Sequence, residues 1–160
     1  MQLYISAIGR ARGSFEEGIC AAYLEQINKH RTLGIKHCTL YEAQAPKMAD
    51  KKARQKAEAV LLRTPLPKKC LFVALDRKGQ NLTSSAFAKQ LEKWLMDGEP
   101  HVAFLIGGAD GLAHEILEQA DMKLSLGAMT WPHLLARAML AEQIWRAVAI
   151  LAHHPYHRGD

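Results

Sequence analysis

Apolar positions along this chain follow two alternating rhythms. Short, nearly continuous apolar runs occur in "QLYISAIG" near the start, "CLFVALD" from residue 70 and "HVAFLIGG" from residue 101. Their length and branched or aromatic content predict buried strands, the first ending at Gly9. "GIKHCTLYEA" predicts a further strand, and "KLSLGAMT" another inner one. Between these runs the apolar residues recur three or four positions apart. In "SFEEGICAAYLEQINKH", Ser14 and Glu17 have capping-box spacing, and Phe15, Ile19, Ala22, Tyr23 and Ile27 share one helical face. "SSAFAKQLEKWLMDG" gathers Phe87, Leu91, Trp94 and Leu95 on one face and stops at Gly98. "GLAHEILEQA" reads as a short helix, and "PHLLARAMLAEQIWRAVAILAHH" as a long one with Pro132 in its first turn. Alternating strands and helices point to an α/β fold, a mainly parallel sheet flanked by helices.

Two helices carry more information than their periodicity. "PKMADKKARQKAEAVLLRT" crowds Lys47, Lys51, Lys52, Arg54 and Lys56 near its start, where the helix dipole favours acids. A bound phosphate would relieve that conflict, and so would a loop or frayed turn. The last helix is apolar over most of its circumference, as expected of a central core helix or one packed on a second subunit; its place at the end of a small domain favours the dimer.

Length and composition narrow the class. The 160 residues suit a single domain, residues 1–160, large enough to need no disulfide or metal staple. No apolar run has the length of a membrane span, and the start lacks a signal-peptide core. Cys20, Cys38 and Cys70 are widely spaced and odd in number, which suits buried free thiols in a cytoplasmic protein. Residues 1–80 hold 15 Lys and Arg against 7 Asp and Glu, whereas residues 81–160 hold 6 against 9. A basic half of this kind suits either a polyanionic partner or a solvated basic face.

Candidate chemistry sits where apolar strands end in unusual loops: "VALDRKG" after Leu75, "LIGGADG" at Gly107 and "LSLGAMTWP" at Gly127. Parallel sheets bind ligands at the carboxyl ends of their strands, and glycine there admits a ligand close to the backbone. Tight turns are the plainer use of these glycines. Neither GxGxxG nor a P-loop occurs. The terminal "AHHPYHRGD" offers His153, His154, Tyr156, His157 and Arg158. Adjacent histidines diverge on a helix and Pro155 turns the chain, so a metal set is disfavoured. Tyrosine and histidine that stack on a base, with an arginine for phosphate, suit RNA; a tail that only caps the last helix is the alternative.

"FLIGGADGL", "LSLGAMTWPHLLARAMLAEQIWRA" and the terminal "HPYHR", in this order and spacing, resemble the ribosomal RNA large subunit methyltransferase H family of small bacterial SPOUT-type enzymes. The likeness runs the full length and is strongest over residues 102–158. It implies S-adenosylmethionine-dependent methylation of N3 of a pseudouridine in 23S rRNA of the assembled ribosome, a homodimer in the cytoplasm, and a C-terminal trefoil knot. Neither membrane, DNA nor metal belongs to that picture. The cofactor contacts it implies fall on Leu75, Gly107, Leu126, Gly127, Ala128, Met129, Thr130 and Trp131. Ala109-Asp110, Trp131 and Leu134 depart from common family residues.

Catalytic positioning is expected of Tyr156, His157 and Arg158, with the general base unassigned. RNA binding is expected of Lys51, Lys52, Arg54, Arg137 and Arg158. Glu142 is expected in a structural ion pair, and His133 as a helix cap. A non-catalytic RNA-binding module of the same fold is the competing function, with a metal-dependent protein third.

Overall fold

The structure, a computed structural model, describes residues 1–30 and 34–157. Its elements run β1 (Gln2–Ile8), α1 (Phe15–Lys29), β2 (His37–Ala43), α2 (Lys51–Arg63), β3 (Leu71–Asn81), α3 (Ser84–Met96), β4 (His101–Ile106), α4 (His114–Gln119), β5 (Met122–Ser125) and α5 (His133–Leu151). The five strands form one sheet in the order β2-β1-β4-β3-β5, and every pairing is parallel. The alternation expected from the sequence is therefore realised as one parallel sheet between two helical layers.

Each face has its own core. Leu3, Ile5 and Ala7 of β1 point into a cluster with α1, α3 and α5, including Phe104, Leu91 and Ile144. The intervening Tyr4 and Ile8 point the other way, towards Ala59 and Leu62 of α2 and Ile116 of α4. Strands covered on both faces read as continuous apolar runs, as these do. "KLSLGAMT" departs from expectation: β5 stops at Ser125 and lies at the sheet edge, paired with β3. A strand on the edge needs one ladder only, which leaves residues 126–131 for a loop.

The helix faces also differ in part. Phe15 is 93% exposed and Ile19 is exposed as well. The side of α1 that packs inward carries Cys20, Leu24 and Ile27. Ser14 caps α1 by accepting from the Glu17 N–H, and the Glu17 carboxylate accepts from Gly13 N–H. At α2 the conflict with the dipole is resolved by a cap: the helix begins at Lys51, Lys47 lies before it, and Asp50 Oδ2 accepts from Ala53 N–H at 2.6 Å. Helix α5 owes its apolar circumference to this chain: it is sandwiched on α1 and α3 against the sheet, with Ala138, Leu140, Ile144 and Val148 buried. The apolarity of α5 thus needs no second subunit.

Candidate active site

All five carboxyl ends lie at one edge of a parallel sheet, and there the structure has a cleft of about 380 Å³. Its walls are the middle of β3 (Leu75, Asp76, Arg77), the loop after β4 (Gly107 to Leu112), the loop after β5 and the start of α5. There the pairing of β3 with β5 shifts register, and the strand runs on instead of ending in the expected loop. The glycines are required by geometry. A Cβ on Gly107 would stand 2.7 Å from the backbone carbon of Gly111, and Gly127 has φ +121°. Ser125 Oγ locks the β5 loop, donating to the Gly127 carbonyl at 3.0 Å and accepting from Gly127 N–H at 3.2 Å. Met129 and Trp131 are exposed on the cleft wall.

Helix α2 grips the β4 loop from behind. Arg54 Nε donates to Asp110 Oδ2 at 2.7 Å, and a second guanidinium nitrogen stands 2.6 Å from the same oxygen. Gln55 Nε2 donates to the Asp110 carbonyl at 3.0 Å, and the buried Glu58 accepts from Gly108 N–H at 3.3 Å. The backbone closes itself through Gly111 N–H to the Gly108 carbonyl at 3.0 Å. The cleft wall is therefore held in shape by fixed hydrogen bonds before any ligand arrives.

A family model described as "Predicted SPOUT methyltransferase" matches residues 1–157. The chain belongs to the SPOUT methyltransferase family. Curated relatives named ribosomal RNA large subunit methyltransferase H agree: that of Rhodospirillum centenum is 44% identical over 159 residues, covering 99% of this chain and 100% of the relative. Its namesake from Bradyrhizobium diazoefficiens is 39% identical over 160 residues, with 99% and 100% covered. Among solved structures, a probable methylase family protein from Haemophilus influenzae Rd KW20 superposes with a TM-score of 0.52 over 99% of this chain and 70% of that one. At 11% identity, that likeness speaks for the fold alone.

Within this SPOUT methyltransferase the residues expected at the cofactor converge. Leu75, Gly107, Leu126, Gly127, Met129, Thr130 and Trp131 all line the cleft; Ala128 is outside its lining. Sequence reasoning missed Asp76, Arg77 and Ala136, which also line it, and gave His133 the wrong role. Pro132 occupies the N-cap of α5 and no side chain caps it; His133 instead faces the cleft and packs on Gly9, where an added Cβ would fall 2.8 Å from Nε2. The position of Asp76 and Arg77 straight after Leu75 was the available signal.

The basic residues divide. Lys51 and Lys52 are exposed at the start of α2. Arg54 is occupied by Asp110 and by the Met48 carbonyl. Arg137 cannot be an RNA contact: it is 1% exposed, paired with Glu42, and donates to the carbonyls of Ile8 and Gly9 at 3.2 and 2.8 Å. A guanidinium so enclosed has no face left for a phosphate.

The tail docks on its own chain. Tyr156 lies over Trp145 and Arg146, and its hydroxyl donates to Glu142 Oε1 at 3.0 Å. Glu142 also pairs with Arg146 one turn on, the structural role expected of it. Burial, with help from Tyr23 and Glu142, raises the Tyr156 phenol above its ordinary pKa, so it stays protonated. His154 packs edge-on against Trp145 and His30, and its Nδ1 accepts from Tyr156 N–H at 3.2 Å. His157 Nδ1 is buried without a hydrogen-bond partner. Arg158 lies outside the described residues. Among those described, no three His, Cys, Asp or Glu side chains are placed to share a metal.

Proposed function

We propose that this chain transfers a methyl group from S-adenosylmethionine to N3 of a pseudouridine in 23S rRNA, acting in the cytoplasm on the assembled ribosome as a homodimer. The observation that carries the reading is the cleft itself: three separate segments chosen by motif, the irregular middle of β3 and the loops after β4 and β5, meet around one space of about 380 Å³. That size suits a small-molecule cofactor. The residues fit the group. Gly107 and Gly127 bring bare backbone to the cleft, Leu75, Leu126 and Met129 add apolar surface, and Asp76 adds a carboxylate. The relatives' names support rRNA as the substrate, and family membership supports the knot.

S-adenosylmethionine supplies, when bound, an electrophilic methyl carbon. The chain's part is to position the base and manage a proton, because a uracil N3–H must lose its proton before or during attack. Tyr156, whose single hydroxyl proton goes to Glu142 Oε1, offers the base an aromatic ring to stack on. His157, partly exposed, is the tail residue that would guide the N3 proton. Arg158 would hold a phosphate.

Distance supports the dimer. Tyr156 docks on Glu142 and Trp145, nine and twelve residues along α5 from the cleft residue His133, about 14 and 18 Å of helix. A tail held at that distance from its own cleft is free to serve that of a second copy.

The test pairs calorimetric titration with S-adenosylmethionine and methylation of ribosomes, using the full chain and a chain truncated after His154. The truncated chain should bind the cofactor within about twofold of the full one and lose about 100-fold or more of its methylation rate. Full activity after truncation would remove the tail from the reaction. Failure of the full chain to bind cofactor would leave an RNA-binding module of the same fold.

A further inference from the structure

The loop joining β1 to α1, residues 9–14, has no part in the site described so far, yet it stands at the same edge of the sheet. Strand β1 lies directly beside β4, at a spacing of about 5 Å, so the chain leaving Ile8 neighbours the chain leaving Ile106. Gly9 touches the cleft wall through His133. On its other side β1 pairs with β2, whose continuation leads to Lys51 and Lys52. Helix α2 also meets the cleft wall, through Arg54 and Asp110, so the loop and the exposed lysines border the same edge of the sheet.

It carries two cations. Arg10 and Arg12 are both exposed, and no ion pair among the described residues involves either. Exposed arginines on a surface loop are commonplace; the way this loop is held is not. Left-handed glycines bracket it, Gly9 at φ +93° and Gly13 at φ +73°. Ala11 is buried, its N–H donates to Glu42 Oε1 at 3.2 Å, and its carbonyl accepts from Ser14 N–H at 3.0 Å. Gly13 N–H donates to Glu17 at 2.7 Å. Arg137, paired with the same Glu42, holds the carbonyls of Ile8 and Gly9.

Burying that guanidinium strips it of water, and its Nε finds no partner. A strand-to-helix turn can be closed without a buried ion. The cost makes physical sense where the position of what the loop displays matters, and what it displays is two unpaired guanidinium groups.

We propose that Arg10 and Arg12 form a phosphate-binding site for the RNA strand that delivers the substrate base, held beside the cleft by the Glu42–Arg137 pair. The inference rests on the reading of this chain as an rRNA methyltransferase and deepens it. Guanidinium forks match phosphate oxygens bidentately, and the lysines of α2 extend the same charge along the edge.

The experiment compares the full chain with an Arg10→Gln/Arg12→Gln variant for binding to ribosomes between about 50 and 200 mM salt. Two phosphate contacts on a single strand account for about 1.4 of the log–log salt slope, so over that range the wild type should lose about sevenfold more affinity than the variant. Ribosome KM should rise about tenfold or more at low salt with kcat within about twofold, and cofactor affinity and Tm should not move. Arg10→Lys/Arg12→Lys should restore most of the slope. An unchanged slope and KM in an otherwise active system would overturn the site, as would a loss of cofactor affinity in the Gln variant, which would make the loop part of the cleft. A wild-type chain that neither binds nor methylates ribosomes would instead overturn the function on which the site rests.

Discussion

Arg137 shows what one residue's surroundings decide. In sequence it is a cation on a long apolar helix, and on a chain with a basic half the expectation is a polyanion contact. The fold encloses it against Glu42 and two carbonyls at the end of β1. Removing one partner of a buried pair costs about 3 kcal/mol, so Arg137→Met should lower stability by about that much. Urea unfolding would show it as a lower midpoint with unchanged slope, and the amides of residues 9–13 should exchange faster. A shift below about 0.5 kcal/mol would mean the pair is idle. The glycines behave differently. Gly107 and Gly127 were legible because glycine at a strand end already implies special backbone; only coordinates could show that Gly107 abuts the backbone of Gly111.

Among the elements, α2 is the one whose meaning changes most. Its sequence reads as a basic stripe, and the structure divides it by face. Lys52 and Lys56 lie on the outward face and Lys51 is exposed as the first residue of the helix, whereas Arg54, Gln55 and Glu58 reach the β4 loop. Positions i, i+1 and i+4 share one side of a helix, so the periodicity permits this division, but only packing decides which side meets the sheet. Arg54→Gln should weaken cofactor binding about fivefold, about 1 kcal/mol for a partly exposed pair, and leave the salt slope of ribosome binding unchanged. Lys51→Gln/Lys52→Gln should do the reverse. Calorimetry and salt-dependent ribosome binding on both variants separate the roles; a flattened slope in Arg54→Gln would return that residue to the RNA surface. Helix α5 taught a related lesson: apolar circumference signals burial but does not identify the partner, which here is α1 and α3 of the same chain.

For the whole molecule the question is whether the tail acts with its own chain's cleft or with that of a second copy. Mixing two inactive proteins answers it. A Gly107→Trp variant has a blocked cleft and an intact tail, and a chain truncated after His154 has the reverse. Random exchange of subunits makes half the dimers mixed, each with one complete site, so the mixture should recover about a quarter of wild-type methylation. No recovery after demonstrated exchange would place tail and cleft in the same chain's site. The apolar side chains left on the surface, Phe15 at 93% and Met129 at 70% exposed, are surface such an assembly can cover.

The order of strands and helices, the parallel sheet, the glycine loops and the family were set by local pattern, because periodicity, strand-end glycines and ordered motifs are properties of neighbours along the chain. Strand order, the truncation of β5, the side of α1 that packs inward, the enclosure of Arg137 and the grip of α2 on the β4 loop were decided only in the folded molecule. Each depends on contacts between residues far apart in sequence, Glu42 with Arg137 and Arg54 with Asp110 among them. Charge alone cannot say whether a cation will face solvent or a carboxylate; packing does.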